Sequence, residues 1–207
     1  MADIENGIFE HVLVIGAEVQ STAMDLSTRG RDTAVIFGDG AGVAVVSTSH
    51  DESGILSTHL HSEGKHCREL WVEAPSSGVS PRLNQEILDE GRHFLQMNGR
   101  EVFRHAVTRF PQVIMEGLGA NGLTPEDIDL LVPHQANLRI TQMIQKRLKL
   151  RDDQVYSNIH KYGNTTAASI PIALCEAMDE GRVKKGDLVV FAAFGSGFIW
   201  ASAIVKW

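Results

Sequence analysis

Twice in the second half of this chain an apolar run stops at polar residues, and a helix-forming pattern starts a few positions later. The two stretches are IDLLVPHQANLRI (128–140) and VYSNIHKYGNTTAASIPIAL (155–174). They set His134 and Asn164 at strand-to-helix junctions, and in α/β sheets ligands gather at the carboxyl ends of strands. Each residue alone has an ordinary reading: a histidine there is often structural, and an asparagine before a helix is often its N-cap. Together they are two neutral hydrogen-bond donors, a pairing suited to stabilising an oxyanion. Such a pair normally serves a cysteine nucleophile.

The remaining pattern places these junctions in a layered α/β fold. HVLVIGAE (11–18) reads as a buried strand, and 33–48 as two strand-like runs broken by GDGAG. GILSTHLHSEG (54–64) alternates with period two, whereas 65–92 reads as a long loop with a short helix near 84–90. From Met97 to Leu118 apolar residues recur at helical spacing, and Pro111 is expected to bend or divide that helix. Thr124, Pro125 and Glu126 form a helix-start signal before a buried strand at 129–133. Asn137 caps a helix over 137–148; a strand at 154–159, a helix at 165–180 and two strands around a Gly-rich turn complete the reading. No internal repeat is present.

Composition removes several function classes. A chain of 207 residues that is 43% hydrophobic can bury a sizeable core. Its formal charge of −7 disfavours nucleic acid as a partner, and no apolar run reaches membrane-span length. The N-terminus lacks the basic and apolar regions of an export signal, and two cysteines make no disulfide framework. A reducing, cytoplasmic setting is therefore expected. Against the acidic background, Arg139, Lys146, Arg147, Lys149 and Arg151 form a basic segment. Its two readings are a docking face for an acidic or phosphorylated partner and a solvated helix face. GDGAG is followed by a strand rather than a helix, which excludes a dinucleotide fingerprint. His59, His61, His66 and Cys67 have zinc-ligand chemistry but no defined fourth-ligand geometry, so no metal is expected.

PHQANLRI, HKYGNTTAASIPIAL, VIFGDGAGVAVV, MNGREVF and AFGSGFIWASAIVKW together resemble the bacterial β-ketoacyl-acyl carrier protein synthase III enzymes, from about His11 to Trp207 in unbroken order. The resemblance implies a thiolase-like layered αβαβα fold. On this reading 1–50 holds the last strands of an N-terminal half, and 51–207 is the C-terminal half carrying His134 and Asn164. It implies decarboxylative condensation of an acyl-CoA primer with malonyl-acyl carrier protein, with no cofactor beyond the coenzyme A thioester substrate, in a cytoplasmic homodimer. By resemblance His134 and Asn164 hold the thioester oxygen of the decarboxylating malonyl group, and the Ser196 backbone N–H completes an oxyanion hole for the acyl-enzyme. Arg31 matches an arginine stacked on the CoA adenine, and Phe103 matches a wall of the pantetheine tunnel. Ala136 and Asn137 line the same channel. Arg100 stands where the family often has asparagine, and Arg139 matches a residue that docks the carrier protein.

In the family the acyl-accepting cysteine opens a helix ahead of the strand matching HVLVIGAE, and MADIENGIF resembles the end of that helix. Cys175, mid-helix in SIPIALCEAM, reads as a small buried hydrophobe. Cys67, beside His66, lies in a loop with no family counterpart. The expectation is an active site that this chain completes only with an N-terminal portion, supplied in the same or a separate polypeptide. The alternatives are an inactive fragment that binds CoA or carrier protein or mediates dimerisation, and a condensing enzyme of secondary metabolism.

Overall fold

The computed structural model describes residues 2–207. After α1 (Ala2–Glu5), β1 (His11–Glu18) runs antiparallel to β2 (Gly40–Ser47), with Leu13 opposite Val45 and Ile15 opposite Val43. The expected strand over 33–37 does not form. Gly30 O instead accepts from the amides of Thr33 and Ala34, closing the short α2 (Arg31–Ala34), and Phe37 makes an isolated bridge to Asn164. A short apolar run does not by itself decide between helix and strand, and here local amide pairing wins.

The larger sheet begins with β3 (Gly54–Ser62). The expected long loop contains β4 (Leu70–Val72) and α3 (Gln85–Glu90), and β5 (Leu95–Met97) then pairs with β4 as a small ribbon. Next come α4 (Gly99–Ala120), β6 (Leu130–Pro133), α5 (Leu138–Leu148), α6 (Ile159–Tyr162), α7 (Ser169–Asp179), β7 (Leu188–Gly195) and β8 (Ile199–Lys206). Strand order is β3-β8-β7-β6, with β6 parallel to β7 and the other pairs antiparallel.

Period-two alternation divides the strand residues between two apolar layers. Leu188, Val190, Ala192 and Phe194 of β7 join Leu131 in packing on Phe110, Ile114 and Leu118 of α4 and Ile140 and Ile144 of α5. Val189 of β7 and Leu130 and Val132 of β6 face the opposite way, onto Ala173 and Ala177 of α7. Burial on both faces is what a parallel strand such as β6 requires. Pro111 does not divide α4. The helix forgoes one backbone bond there, and burial of Phe110, Pro111, Val113 and Ile114 outweighs the loss.

Two further boundaries differ from the pattern. Val155 makes only an isolated bridge to Leu131, so 154–159 is not a strand. The helix expected over 165–180 starts at Ser169, after a single 3-10 turn at Thr166–Ala168. No helix among the described residues is long and apolar enough to cross a membrane.

Glycines join the β1–β2 ribbon to the rest. A Cβ on Gly16 would lie 2.5 Å from Ala167 O, and one on Gly42 would lie 2.6 Å from Pro171 Cβ. The ribbon therefore sits directly on the segment that leads from Asn164 into α7. Its other face leaves Leu13, Ile15, Val43 and Val45 exposed.

Candidate active site

His134 follows the last residue of β6, and its backbone N–H donates to Ala192 O at 2.8 Å. Its Nδ1 lies 2.6 Å from the hydroxyl of Ser169, at the start of α7. Burial disfavours the imidazolium and pushes the His134 pKa down to about 4, so the ring is neutral at neutral pH. Gln135, 1% exposed, spans the two junctions. Its amide donates to Pro133 O at 2.7 Å, and its carbonyl accepts from the Ser157 hydroxyl at 2.9 Å and the Asn158 N–H at 3.1 Å. Asn137 caps α5 as expected, accepting from Arg139 N at 2.9 Å.

Asn164 is fixed through both backbone and side chain. Its N–H donates to Ile36 O and its carbonyl accepts from Gly38 N, each at 2.9 Å. It does not cap a long helix. Its Oδ1 accepts from Thr166 N at 2.9 Å, which commits the oxygen and leaves the NH₂ end as the available donor. Thr166 has φ +47°, an uncommon value for a β-branched residue that marks an over-determined turn. Ahead of it, Glu176 of α7 accepts from Asn158 Nδ2 at 2.8 Å, Lys161 Nζ at 3.2 Å and the Tyr162 hydroxyl at 2.5 Å. The approach to Asn164 is thereby clamped to the helix that follows it.

Both residues line one cavity of about 520 Å³. Phe37, Phe103, Ala136, Asn137, Phe194 and Ser196 line it as well, so the walls are mainly apolar and the donors few. Ser196 sits in the turn between β7 and β8, and its hydroxyl donates to Leu70 O at 2.6 Å, tying that turn to β4.

Of the residues expected from sequence, the fold gathers His134, Asn164, Ser196, Phe103, Ala136 and Asn137 around this cavity. Arg31, Arg100 and Arg139 do not line it. Arg31 is exposed beside Asp32, while Arg100 and Arg139 are exposed one position from the lining residues Gly99 and Ile140. Arg139, Lys146, Arg147 and Lys149 are solvent-facing and pair with no carboxylate among the described residues. Cys67 and Cys175 are exposed and neither lines the cavity; Cys175 is on the outer face of α7, not buried as expected.

The histidines do not assemble with Cys67. His59 and His61 face Glu116, at 3.4 and 2.6 Å. His66 groups instead with His105 and Glu63, with ligand atoms within 4.8 Å, and Glu63 is already held by Arg109 at 2.6 Å and Lys65 at 2.5 Å. Sequence reading missed Gln135, Ser169, Phe37 and Thr166. Only the asparagine-to-threonine spacing, two residues, carried a signal for the turn at Thr166.

A family model described as 3-oxoacyl-(acyl-carrier-protein) synthase III, C terminal, matches residues 118–207, and one described as 3-oxoacyl-(acyl-carrier-protein) synthase III matches residues 2–64. The chain is 46% identical over 204 residues to the β-ketoacyl-(acyl-carrier-protein) synthase III of Caldanaerobacter subterraneus subsp. tengcongensis, covering 99% of this chain and 60% of that protein. Similarity to the Clostridioides difficile protein of the same name is also 46% over 204 residues, covering 99% of this chain and 61% of the relative. The solved β-ketoacyl-(acyl carrier protein) synthase III of Thermus thermophilus superposes with a TM-score of 0.89 at 42% identity, over 100% of this chain and 62% of that one. The chain thus spans about 60% of the length of the curated relatives it matches. With the motifs and cavity described above, these matches show that the chain has a thiolase-like α/β fold and belongs to the 3-oxoacyl-(acyl-carrier-protein) synthase III family.

Proposed function

We propose that this chain supplies the decarboxylation side of a β-ketoacyl-acyl carrier protein synthase III active site. In this reading an acyl group passes from coenzyme A to a cysteine thiolate, with free CoA leaving. Malonyl-acyl carrier protein then enters the cavity and loses carbon dioxide. The electron pair of the broken C–C bond becomes an enolate on the thioester oxygen, held by His134 and the Asn164 amide. That carbanion attacks the acyl-enzyme carbonyl, and the thiolate leaves as the β-ketoacyl thioester forms. The Ser196 backbone N–H is assigned to the oxyanion of that second step. Neither Cys67 nor Cys175 is assigned as the acyl acceptor, because both lie outside the cavity.

The observation that carries the proposal is that the Asn164 oxygen is already occupied by Thr166 N–H, so a fixed donor faces a largely apolar cavity shared with a neutral His134. Preorganised donors in such surroundings need no reorganisation as charge develops, and removing one typically costs about 3–4 kcal/mol of barrier. Phe103, Ala136 and Asn137 are assigned to the pantetheine channel. Arg31 and Arg100 are assigned to CoA, and Arg139, with its basic neighbours, to the acidic carrier protein. Dimerisation and a cytoplasmic setting belong to the same proposal.

In the full-length protein, Asn164→Ala is expected to lower malonyl-thioester decarboxylation by about 100–1,000-fold while acyl loading onto cysteine persists. Loss of loading with decarboxylation intact would overturn the assignment.

A further inference from the structure

The hydroxyl of Ser169 stands between two groups of the His134 junction. It is 2.6 Å from His134 Nδ1 and accepts the Gln135 backbone N–H at 3.3 Å, on a side chain only 2% exposed. A serine hydroxyl has one proton and two lone pairs. Gln135 N–H is necessarily a donor, so it occupies a lone pair. The hydroxyl proton then needs an acceptor, and among the described residues His134 Nδ1 is the one within reach. Were Nδ1 protonated instead, Ser169 would accept twice and its own proton would be buried without a partner, an arrangement that proteins avoid.

We infer that Ser169 is a positioning residue that donates to Nδ1 of neutral His134 and so fixes the ring in its Nε2–H form. The consequence concerns what the ring offers the cavity. His134 Nε2 has no protein hydrogen-bond partner among the described residues, and it is not among their buried, unpartnered atoms, so it is open to the cavity that His134 lines. With Nδ1 accepting, that nitrogen presents a proton. In the other tautomer it would present a lone pair, which repels an enolate oxygen and would serve a base instead. Choice of tautomer by the far nitrogen's hydrogen bond is a general property of histidine. Gln135 supports the arrangement from behind: its backbone orients Ser169 while its side chain holds 156–158. This deepens the proposed role of His134 as an oxyanion donor and rests on it.

The test uses full-length protein labelled with ¹⁵N at histidine, and two-bond ¹H–¹⁵N correlation at neutral pH. The expected wild-type spectrum shows His134 protonated at Nε2 and bare at Nδ1. Ser169→Thr is expected to preserve it, and Ser169→Ala to give a tautomer mixture. Malonyl-thioester decarboxylation is expected to lose about 10–100-fold in kcat in the alanine variant, with KM little changed, and to recover in the threonine variant. A proton on Nδ1 in the wild type, or an alanine spectrum identical to it, would overturn the inference. The wild-type spectrum decides the tautomer even if Ser169→Ala fails to fold. His134→Ala tests the underlying reading separately: unaltered decarboxylation in that variant would remove the oxyanion role and leave the tautomer measurement standing.

Discussion

At the scale of single residues, the proposed site depends on keeping one imidazole neutral. Its folded pKa is about 4, below the ordinary 6.5, so between those values the unfolded chain binds the extra proton. The contribution of His134 to stability is therefore complete above about pH 6.5 and is lost as pH falls towards about 4. The difference between the two values corresponds to about 3 kcal/mol at most. His105 is shifted the same way by burial and by its neighbour His66, and contributes to the same acid limb. Replacing His134 with glutamine is expected to flatten the decline in denaturation free energy between pH 6.5 and 4.5, with the remaining slope belonging to His105 and, towards the lower end, to Glu63, Glu101, Glu116 and Glu176, whose hydrogen-bond partners hold their carboxyls below the ordinary range. An unchanged slope would show that the ring is not desolvated. The residues of this site were unequally legible in the sequence. His134 ends an apolar run and Asn137 opens a helical pattern, which announces a strand end and a helix cap; Asn164 reads the same way in the sequence, but neither a strand before it nor a long helix on it forms. Ser169 and Gln135 announce nothing, because their partners are set by which two junctions meet in space. The arginines were legible as charges, but their distance from the cavity was not.

At the scale of elements, glycines decide how closely the small β1–β2 ribbon can approach the Asn164 segment. The sequence showed glycines in VIGAE and GDGAG but not what they face; backbone contact supplies the reason. A Gly16→Ala methyl would meet the backbone of Ala167 at 2.5 Å and of Ala168 at 2.9 Å. Backbone cannot rotate aside as a flexible side chain can, so β1 must lift. The expected cost is about 1–3 kcal/mol. Because Ile36 and Gly38 hold Asn164 on either side, the proposed decarboxylation should fall with stability, by more than tenfold. Gly119→Ala in α4 is the matched control: nothing lies within 4 Å of the added methyl, and helix propensity favours it by up to about 1 kcal/mol. Thermal melts and turnover of the two variants check the pair; equal behaviour would refute the close-approach argument. The elements that were misread, 33–37 and 154–159, are short apolar segments consumed by single bridges. Long periodic segments such as α4 and β8 were legible because many residues repeat one signal.

At the scale of the whole chain, the four-stranded sheet and the β1–β2 ribbon are not equally protected. The four-stranded sheet is covered on both faces at β6 and β7, whereas β1–β2 is covered on one. Its open face carries the cross-strand pairs Leu13–Val45 and Ile15–Val43, with exposures of 58% and 65%, and 61% and 56%. A two-stranded ribbon is marginal in water by itself, and both of its edges offer unpaired amides and carbonyls. An apolar β surface with open edges favours pairing with another strand or another molecule. The 207-residue polypeptide purified alone is therefore expected to self-associate, eluting above its 22.7 kDa mass and increasingly so with concentration. Converting one cross-strand pair to opposite charges, Leu13→Lys with Val45→Glu, keeps ribbon pairing favourable but makes the face costly to bury. That double variant should shift the population towards monomer in sedimentation measurements. A wild-type chain that stays at 22.7 kDa across concentration and melts in one sharp transition would show that the ribbon needs no cover.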